Sequence, residues 1–366
     1  MAVKNRGISR DLLIHPGETI ADLLEERGIT QKELAKRAGV SEPFLSDVIR
    51  GKKDISKGLA MGLEYAFGVS RSFWLNLQAN YDAELLSLQE EESIQEEEKE
   101  VLSAIHEIVG YLKKRSVITD GISLEQTIIE LRKILRVSSL TGLRALAPAG
   151  AFRMSDKTPV NQDVLGAWLC LCKVQSAERR IESRFDVAQV DELVSKLKDI
   201  MLTNRGDLQK SLKNLFAEYG IDFSIVHNFR GAPVHGYIAR KEDGTYQMVL
   251  TLRGAAADIF WFSLFHELGH IVNGDVSKVG SFIDAQDSND KQKEEAADLF
   301  ASSVLLEPKS YERFVSEGSF SYTSIKEYAR QQEVPPYIVI GRLQKETKIP
   351  WSWYQKFKPR YKWAEA

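Results

Sequence analysis

Cysteine is scarce in this sequence of 366 residues, which contains two, Cys170 and Cys172. Two cysteines in a C-x-C pattern are too close on a helix for an easy disulfide and too few for a thiolate metal site. A disulfide-stabilised fold and a zinc-finger fold are therefore excluded. We expect both side chains to act as small buried apolar groups.

Long apolar stretches are also missing. No run of apolar residues approaches the roughly 20 that a membrane-spanning helix needs, and residues 1–7 lack the apolar centre of a signal peptide. The net charge of −3 argues against a wholly basic nucleic-acid binder, so any such surface must be local. These absences predict a cytoplasmic protein with no membrane partner, and the length of 366 residues suggests two or three domains.

Histidine is rare too, with six residues, yet His266 and His270 stand four apart in an apolar stretch. On a helix they share one face, where two imidazoles can occupy two positions of a tetrahedral Zn²⁺. Glu267, beside that face, can take a proton from water at the metal. This H-E-x-x-H pattern predicts two metal ligands and the catalytic base of a hydrolase. The alternative is a core helix with two hydrogen-bonded histidines.

A third ligand is offered by the helical pattern of residues 293–308. Glu294 and Asp298 are four apart, so Glu294 can bind the metal while Asp298 accepts the second N–H of a ligating histidine. Glu295 is the rival ligand, but it lies about 100° round the helix from Glu294. Two histidines, one glutamate and water form the open coordination of catalytic zinc.

These motifs resemble the ImmA/IrrE family of metallopeptidases, which pair F-x-x-x-H-E-x-G-H with a later E-x-x-A-[DN]-x-F-A-x-x-x-L-x-P. Residues 262–270 match the first pattern, and residues 294–305 match the second as far as its leucine, with the proline at 308 one position later than in the pattern. The resemblance implies a zincin-like fold, a Zn²⁺ cofactor and a bacterial or phage intracellular protein. It also implies a helix-turn-helix repressor as the protein substrate.

Residues 1–82 carry the pattern of a helix-turn-helix domain. Thr30 and Ser41 are placed to cap two short helices, and Gly39 suits the tight turn between them. Such a domain predicts binding to operator DNA; a helical module that binds a protein instead is the alternative. The predicted DNA-contacting residues are Gln31, Ser41, Glu42, Phe44, Ser46, Asp47, Arg50, Lys52 and Lys53.

The same stretch is similar to the HigA antitoxins, through H-P-G-E at residues 15–18 and F-W-x-N-L-Q at residues 73–78. Those antitoxins repress their own operon as dimers and bind a RelE-like toxin. The resemblance therefore implies a homodimer, operator DNA and a toxin partner. Where the antitoxins have an arginine early in the recognition helix, this sequence has Glu42.

The remaining organisation is mostly helical. Residues 83–139 are predicted to be an acidic, helical linker, and residues 140–366 a metallopeptidase domain with a C-terminal helical pair and a basic, aromatic tail. Alternating patterns at 221–226, 237–239 and 247–252 predict three strands before the metal-site helix. His235 and Tyr237 are candidate oxyanion donors, with structural roles as the alternative. The tail is expected to pack on the peptidase, the alternative being a contact with nucleic acid.

The predicted fold class is thus multidomain, with an all-α helix-turn-helix domain followed by an α+β zincin-like domain in helical surroundings. The predicted function is a DNA-binding transcriptional regulator that carries a zinc-dependent endopeptidase. Its substrate would be a regulatory protein, either a repressor or its own DNA-binding half. The alternative is a HigA-type antitoxin and repressor whose peptidase-like domain senses or binds without catalysis.

Overall fold

The computed structural model describes residues 13–147, 159–177, 180–203, 206–276 and 288–363. Contacts within the chain divide it into two compact units, one ending at Glu96 and the other beginning at Glu97. The predicted boundary at residue 82 lies inside a helix, Arg71–Glu92. In the described residues no helix is long and apolar enough to cross a membrane.

The first unit consists of helices whose ends follow the capping residues. The Oγ1 of Thr30 accepts from the backbone N–H of Glu33 at 3.2 Å, and the Oγ of Ser41 accepts from that of Phe44 at 3.3 Å. Gly39 has φ of 71°, so the predicted caps and turn are confirmed. The helices are α1 Pro16–Arg27, α2 Gln31–Ala38, α3 Glu42–Ile49, α4 Lys57–Phe67 and α5 Arg71–Glu92.

Close backbone approaches hold these helices around one apolar core. A Cβ on Gly17 would lie 2.2 Å from the Val48 carbonyl oxygen, and one on Gly62 would lie 2.3 Å from that of Ala38. Both positions therefore require glycine to let α1 meet α3 and α4 meet α2. Trp74 of α5 is fully buried in the same core.

The second unit begins with helices α6 Glu96–Ala104, α7 His106–Lys114, α8 Leu124–Leu135, α9 Leu143–Leu146 and α10 Gln162–Ala177. The acidic residues of α6 are not all exposed to solvent, because Glu98 is only 3% exposed. Its carboxylate pairs with Arg132 and accepts from the Ser139 Oγ at 2.6 Å. Glu98 can be buried because these donors satisfy its carboxylate. Residues 97–139 were expected to be part of a linker, but they belong to the packed second unit.

The predicted buried cysteines are confirmed in α10. Cys170 and Cys172 are 5% and 0% exposed, and both thiols are free. Burial raises the pKa of each thiol, which keeps it protonated and unreactive.

A small sheet follows helices α11 Val190–Thr203 and α12 Leu208–Glu218. Its strands are β1 Ile221–Val226, β2 Gly236–Arg240 and β3 Tyr246–Thr251, in the order β1-β3-β2. The β2 and β3 strands pair antiparallel through the predicted turn, in which Gly244 has φ of 84°, and β1 is parallel to β3. All three strands were predicted from their alternation, and β2 lies at an edge.

Helix α13, Ala257–Val272, packs on this sheet and against α14, Ser288–Leu305. Helices α15 Pro308–Glu317, α16 Tyr322–Gln331 and α17 Pro336–Lys345 complete the core. The C-terminal tail packs on it, as expected: Phe357 stacks on Tyr322 at 3.7 Å between ring centroids, and Trp261 donates to the Tyr361 hydroxyl at 2.9 Å.

Candidate functional site

The candidate metal centre lies where α13 and α14 approach most closely. A Cβ on Gly269 would lie 3.1 Å from the Cα of Ala297, so a small residue on each helix permits the contact. This approach brings His266 and His270 of α13 to Glu294 of α14. Glu295, the rival ligand, is exposed and lies 3.8 Å from Lys291.

The three predicted ligands are spaced as a tetrahedral ion requires. The two Nε2 atoms of His266 and His270 are 3.1 Å apart. The Glu294 carboxylate lies 3.2 Å from the first of these nitrogens and 3.4 Å from the second. Ligands about 2.0–2.1 Å from a tetrahedral zinc ion are separated from one another by roughly 3.4 Å. The side chains therefore fit an ion without rearrangement.

The other ring nitrogens of both histidines are fixed by carboxylates. Nδ1 of His266 donates to Asp298 at 2.9 Å, and Nδ1 of His270 donates to Asp275 at 2.9 Å. In its neutral form, each ring presents the lone pair of Nε2 to the centre. The two nitrogens and the Glu294 carboxylate thus face one point, where they can hold a proton or a cation.

Asp275 is a functional candidate that sequence reasoning missed. It lies beyond the end of α13, where its backbone N–H donates to the His270 carbonyl at 3.0 Å. This turn folds the carboxylate back onto the histidine. An aspartate five residues after a histidine is too common a signal to identify it from sequence.

The electrostatics of the centre favour positive charge. Burial lowers the pKa of His266, but its hydrogen bonds with Asp298 and Glu294 outweigh that effect and raise the pKa to about 10. Burial likewise raises the pKa of Glu294, but its contacts with both histidines lower it to about 2. A proton or a metal ion would each satisfy this set of groups.

Glu267, the predicted base, is held apart from the ligands and beside the sheet. Its loss of solvent raises the pKa of the carboxyl group to about 6, against the attraction of His266 and His270. A Cβ on Gly236 would lie 2.1 Å from the Oε1 of Glu267. The first residue of β2 must therefore be glycine for the carboxylate to lie where it does.

The position of Gly236 also decides the role of Tyr237. Successive side chains of a strand face opposite sides of the sheet, so Tyr237 faces away from Glu267. Its buried ring packs against Trp168 with centroids 6.2 Å apart. Tyr237 therefore has the structural role that was the alternative to oxyanion stabilisation; His235, the other candidate, is exposed.

A further residue that the sequence did not indicate is Lys345 of α17. Its Nζ lies 3.6 Å from Asp298 and 4.3 Å from the ring centroid of Phe262. It lowers the pKa of Asp298, together with the larger effect of His266. Lys345 thus helps to hold Asp298, the carboxylate that orients His266.

The predicted DNA-contacting residues lie in and around α2 and α3 of the first unit. Those that are exposed are Gln31, Ser41, Glu42, Arg50, Lys52 and Lys53, and those that are half-buried are Phe44, Ser46 and Asp47. The ring of Phe44 packs against the core. Lys53 lies 3.0 Å from Asp47 and 5.5 Å from the Phe44 ring centroid. The start of α3 therefore forms a mixed surface, with basic residues just beyond its end.

Residues 20–74 match the helix-turn-helix family model, and by this stretch the chain belongs to the helix-turn-helix family of DNA-binding regulators. Virulence-associated protein A' of Dichelobacter nodosus is 45% identical over 69 residues, which are 19% of this chain and 60% of the relative. Virulence-associated protein A of the same organism is 38% identical over 69 residues, or 18% of this chain and 68% of the relative.

A solved structure adds a third relative, the Pseudomonas aeruginosa antitoxin HigA with the higBA promoter. It is 36% identical, and the match covers 22% of this chain and 95% of that chain with a TM-score of 0.21. The chain spans about 60% of the length of the first curated relative. Each of these three matches covers about a fifth of this chain.

Proposed function

We propose that this protein is an operator-binding transcriptional regulator whose second unit is a zinc-dependent, zincin-like endopeptidase acting on a regulatory protein. The observation that carries the proposal is the convergence of His266, His270 and Glu294 beside Glu267. The lone pairs of two oriented imidazoles and one carboxylate form the open ligand set of catalytic zinc. When bound, the ion would supply Lewis acidity that activates water and polarises a carbonyl group.

Side chains of the protein would orient the ligands, transfer the proton and bind the peptide. Asp298 and Asp275 hold the two imidazoles in the tautomer that offers Nε2. Glu267, whose pKa is raised to about 6, is ionised at neutral pH and can take a proton from water and return it to the leaving amine. Edge strand β2 begins at Gly236, next to this carboxylate, where a substrate peptide could add to the sheet.

The peptidase half is tested by co-expressing the chain with the products of its neighbouring genes and measuring intact masses. A fragment that forms with the wild type but not with Glu267→Gln identifies the substrate and the cleaved bond. Glu295→Gln is the matched control, because this carboxylate is exposed on the same helix as Glu294, and it should cleave normally. Equal masses with wild type and Glu267→Gln, together with no zinc in the purified protein, would refute this half.

The regulatory half is supported by the family match and by the 36% identity to an antitoxin solved with its promoter. The exposed Arg50 and Lys52 follow α3, where they would reach the DNA backbone. Fluorescence anisotropy with DNA from upstream of the gene should give an affinity that falls steeply with salt. Binding that is absent, or independent of salt, would contradict a DNA-binding role.

The second candidate function is that of an antitoxin and repressor whose second unit binds without catalysis, with a RelE-like toxin and a second copy of the chain as partners. The likeness of the first unit to HigA favours it. It predicts that Glu267→Gln leaves repression unchanged, whereas Lys52→Ala weakens it. Pull-down of the neighbouring gene product by both forms of the protein would support this alternative.

A further inference from the structure

Helix α3 of the first unit begins with an exposed acidic residue. It is the second helix of the helix-turn-helix pair, and in such domains this helix lies in the major groove with its N-terminal residues against the base edges. Glu42 is the first residue of α3 and is exposed. Ser41 fixes the start of the helix, because its Oγ accepts from the Phe44 N–H at 3.3 Å. The carboxylate of Glu42 therefore lies where a DNA-bound domain would meet a base.

The other acid of α3 is already neutralised within the first unit. Asp47 is half-buried and lies 3.0 Å from the ammonium of Lys53, which is held over the ring of Phe44. Glu42 differs, because no side chain among the described residues forms an ion pair or a hydrogen bond with its carboxylate. The charge of Glu42 is thus available to a ligand of this surface.

The chemistry of a carboxylate determines which base it can contact. An ionised carboxylate accepts hydrogen bonds and donates none. In the major groove guanine presents two acceptors, and thymine presents an acceptor and a methyl group. Adenine presents its N6 donor beside the N7 acceptor, which repels the second carboxylate oxygen, whereas cytosine presents its N4 donor alone. Cytosine is therefore the base that best complements Glu42.

A base without a donor would be rejected at this position. The phosphates of DNA repel a carboxylate, so Glu42 lowers affinity unless a hydrogen bond compensates. The exposed Arg50 and Lys52, just beyond α3, can contact the phosphates and hold the duplex in place whatever its sequence. A duplex held in this way would still meet an unpaired charge wherever the wrong base lies opposite Glu42.

We propose that Glu42 makes the first unit selective for a cytosine in the major groove, by accepting a hydrogen bond from its N4 amino group. The inference rests on the proposed operator binding and adds the base that the start of α3 recognises. A hydrogen bond to a charged group of this kind should change affinity by about tenfold or more relative to a base without a donor.

Replacing the carboxylate by an amide should change the preferred base. In Glu42→Gln the side chain keeps its length and gains a donor, so it complements adenine, which offers the N7 acceptor and the N6 donor together. The preference should therefore change from cytosine to adenine at one fixed position of the recognised sequence, while the other positions keep theirs. If Glu42 only repelled phosphates, the same variant would bind every sequence more tightly and to the same extent.

The test selects binding sites for the full-length protein from a pool of randomised duplexes and sequences the enriched DNA. Wild type should enrich cytosine at the fixed position, and Glu42→Gln should enrich adenine there. Glu25→Gln removes the same charge from an exposed position of α1 and should enrich the same sites as the wild type. Fluorescence anisotropy then compares the wild-type consensus with a duplex in which this cytosine is replaced by adenine. Wild type should prefer the first duplex, and Glu42→Gln the second.

The possible outcomes separate this inference from the proposed function on which it rests. The inference is overturned if wild type and Glu42→Gln enrich the same base at every position, or if Glu42→Gln binds all duplexes more tightly with no change of preference. Either result leaves the proposed operator binding intact. If the wild type enriches no sequence at all, the proposed operator binding fails and this inference fails with it.

Discussion

Zinc binding to the candidate centre should release protons, because its two histidines hold protons tightly when zinc is absent. Burial lowers the pKa of His266, but Asp298 and Glu294 raise it to about 10, so this imidazole is protonated at pH 7. The pKa of His270 is also raised by hydrogen bonds to its carboxylates despite burial, while the charge on His266 opposes its protonation. Since the two Nε2 atoms are 3.1 Å apart, we expect between one and two protons to leave per zinc ion.

The direction and size of the pH dependence follow from these groups. Protons compete with zinc for a ligand of raised pKa at every pH below that pKa, so zinc affinity should rise with pH up to about 10. One released proton corresponds to about tenfold in affinity per pH unit, and two to about a hundredfold. Glu294, with its pKa lowered to about 2, is ionised throughout and adds no proton.

Isothermal titration from pH 6 to 9, in two buffers that differ in ionisation enthalpy and do not bind zinc, measures both quantities. Asp298→Asn removes the carboxylate that raises the pKa of His266, so fewer protons should be released near pH 8. Glu295→Gln should release as many as the wild type. Zinc binding with no proton release and a constant affinity over this range would refute the assigned ligands.

Three further predictions concern glycines and the DNA surface. Gly236→Ala places a Cβ 2.1 Å from Oε1 of Glu267, so the proposed proteolysis should fall sharply while the proposed zinc binding, measured by mass spectrometry, is retained; loss of zinc in this variant alone would contradict this. Gly62→Ala, against the backbone of α2, should destabilise the first unit by about 1–3 kcal/mol in chemical denaturation. Gly58→Ala on the same helix, where a Cβ would meet only the Ser56 Oγ at 3.9 Å, should be neutral or stabilising. Lys52→Ala should weaken operator binding uniformly and reduce its logarithmic salt slope by about 0.9; an unchanged slope would exclude a phosphate contact.

Local patterns accounted for much of this structure. Thr30 and Ser41 could be identified as caps because each bonds to a backbone N–H three residues away, within a stretch of sequence that can be inspected directly. The strands and the pair of metal-site helices were predicted for the same reason, since alternation and i, i+4 spacing are local properties.

What the sequence did not reveal depends on where distant elements meet. The close approach of Gly236 to Glu267 requires β2 to lie against α13, and the contact of Lys345 with Asp298 requires α17 to pack on α14. The burial of Glu98 was missed because acidic runs are usually solvated, and its donors lie more than thirty residues away, as in the pair with Arg132. No periodicity in the sequence encodes such pairings.

The position of β2 at an edge of the sheet has a consequence for any peptide that the proposed peptidase would cut. A chain that adds to the edge of the sheet presents every second side chain to the same surface. Residues at alternate positions would contact the protein, and those between them would face solvent. Aligned cleavage sites should therefore show constraint with a period of two residues, a signature that sequencing of the fragments alone would reveal.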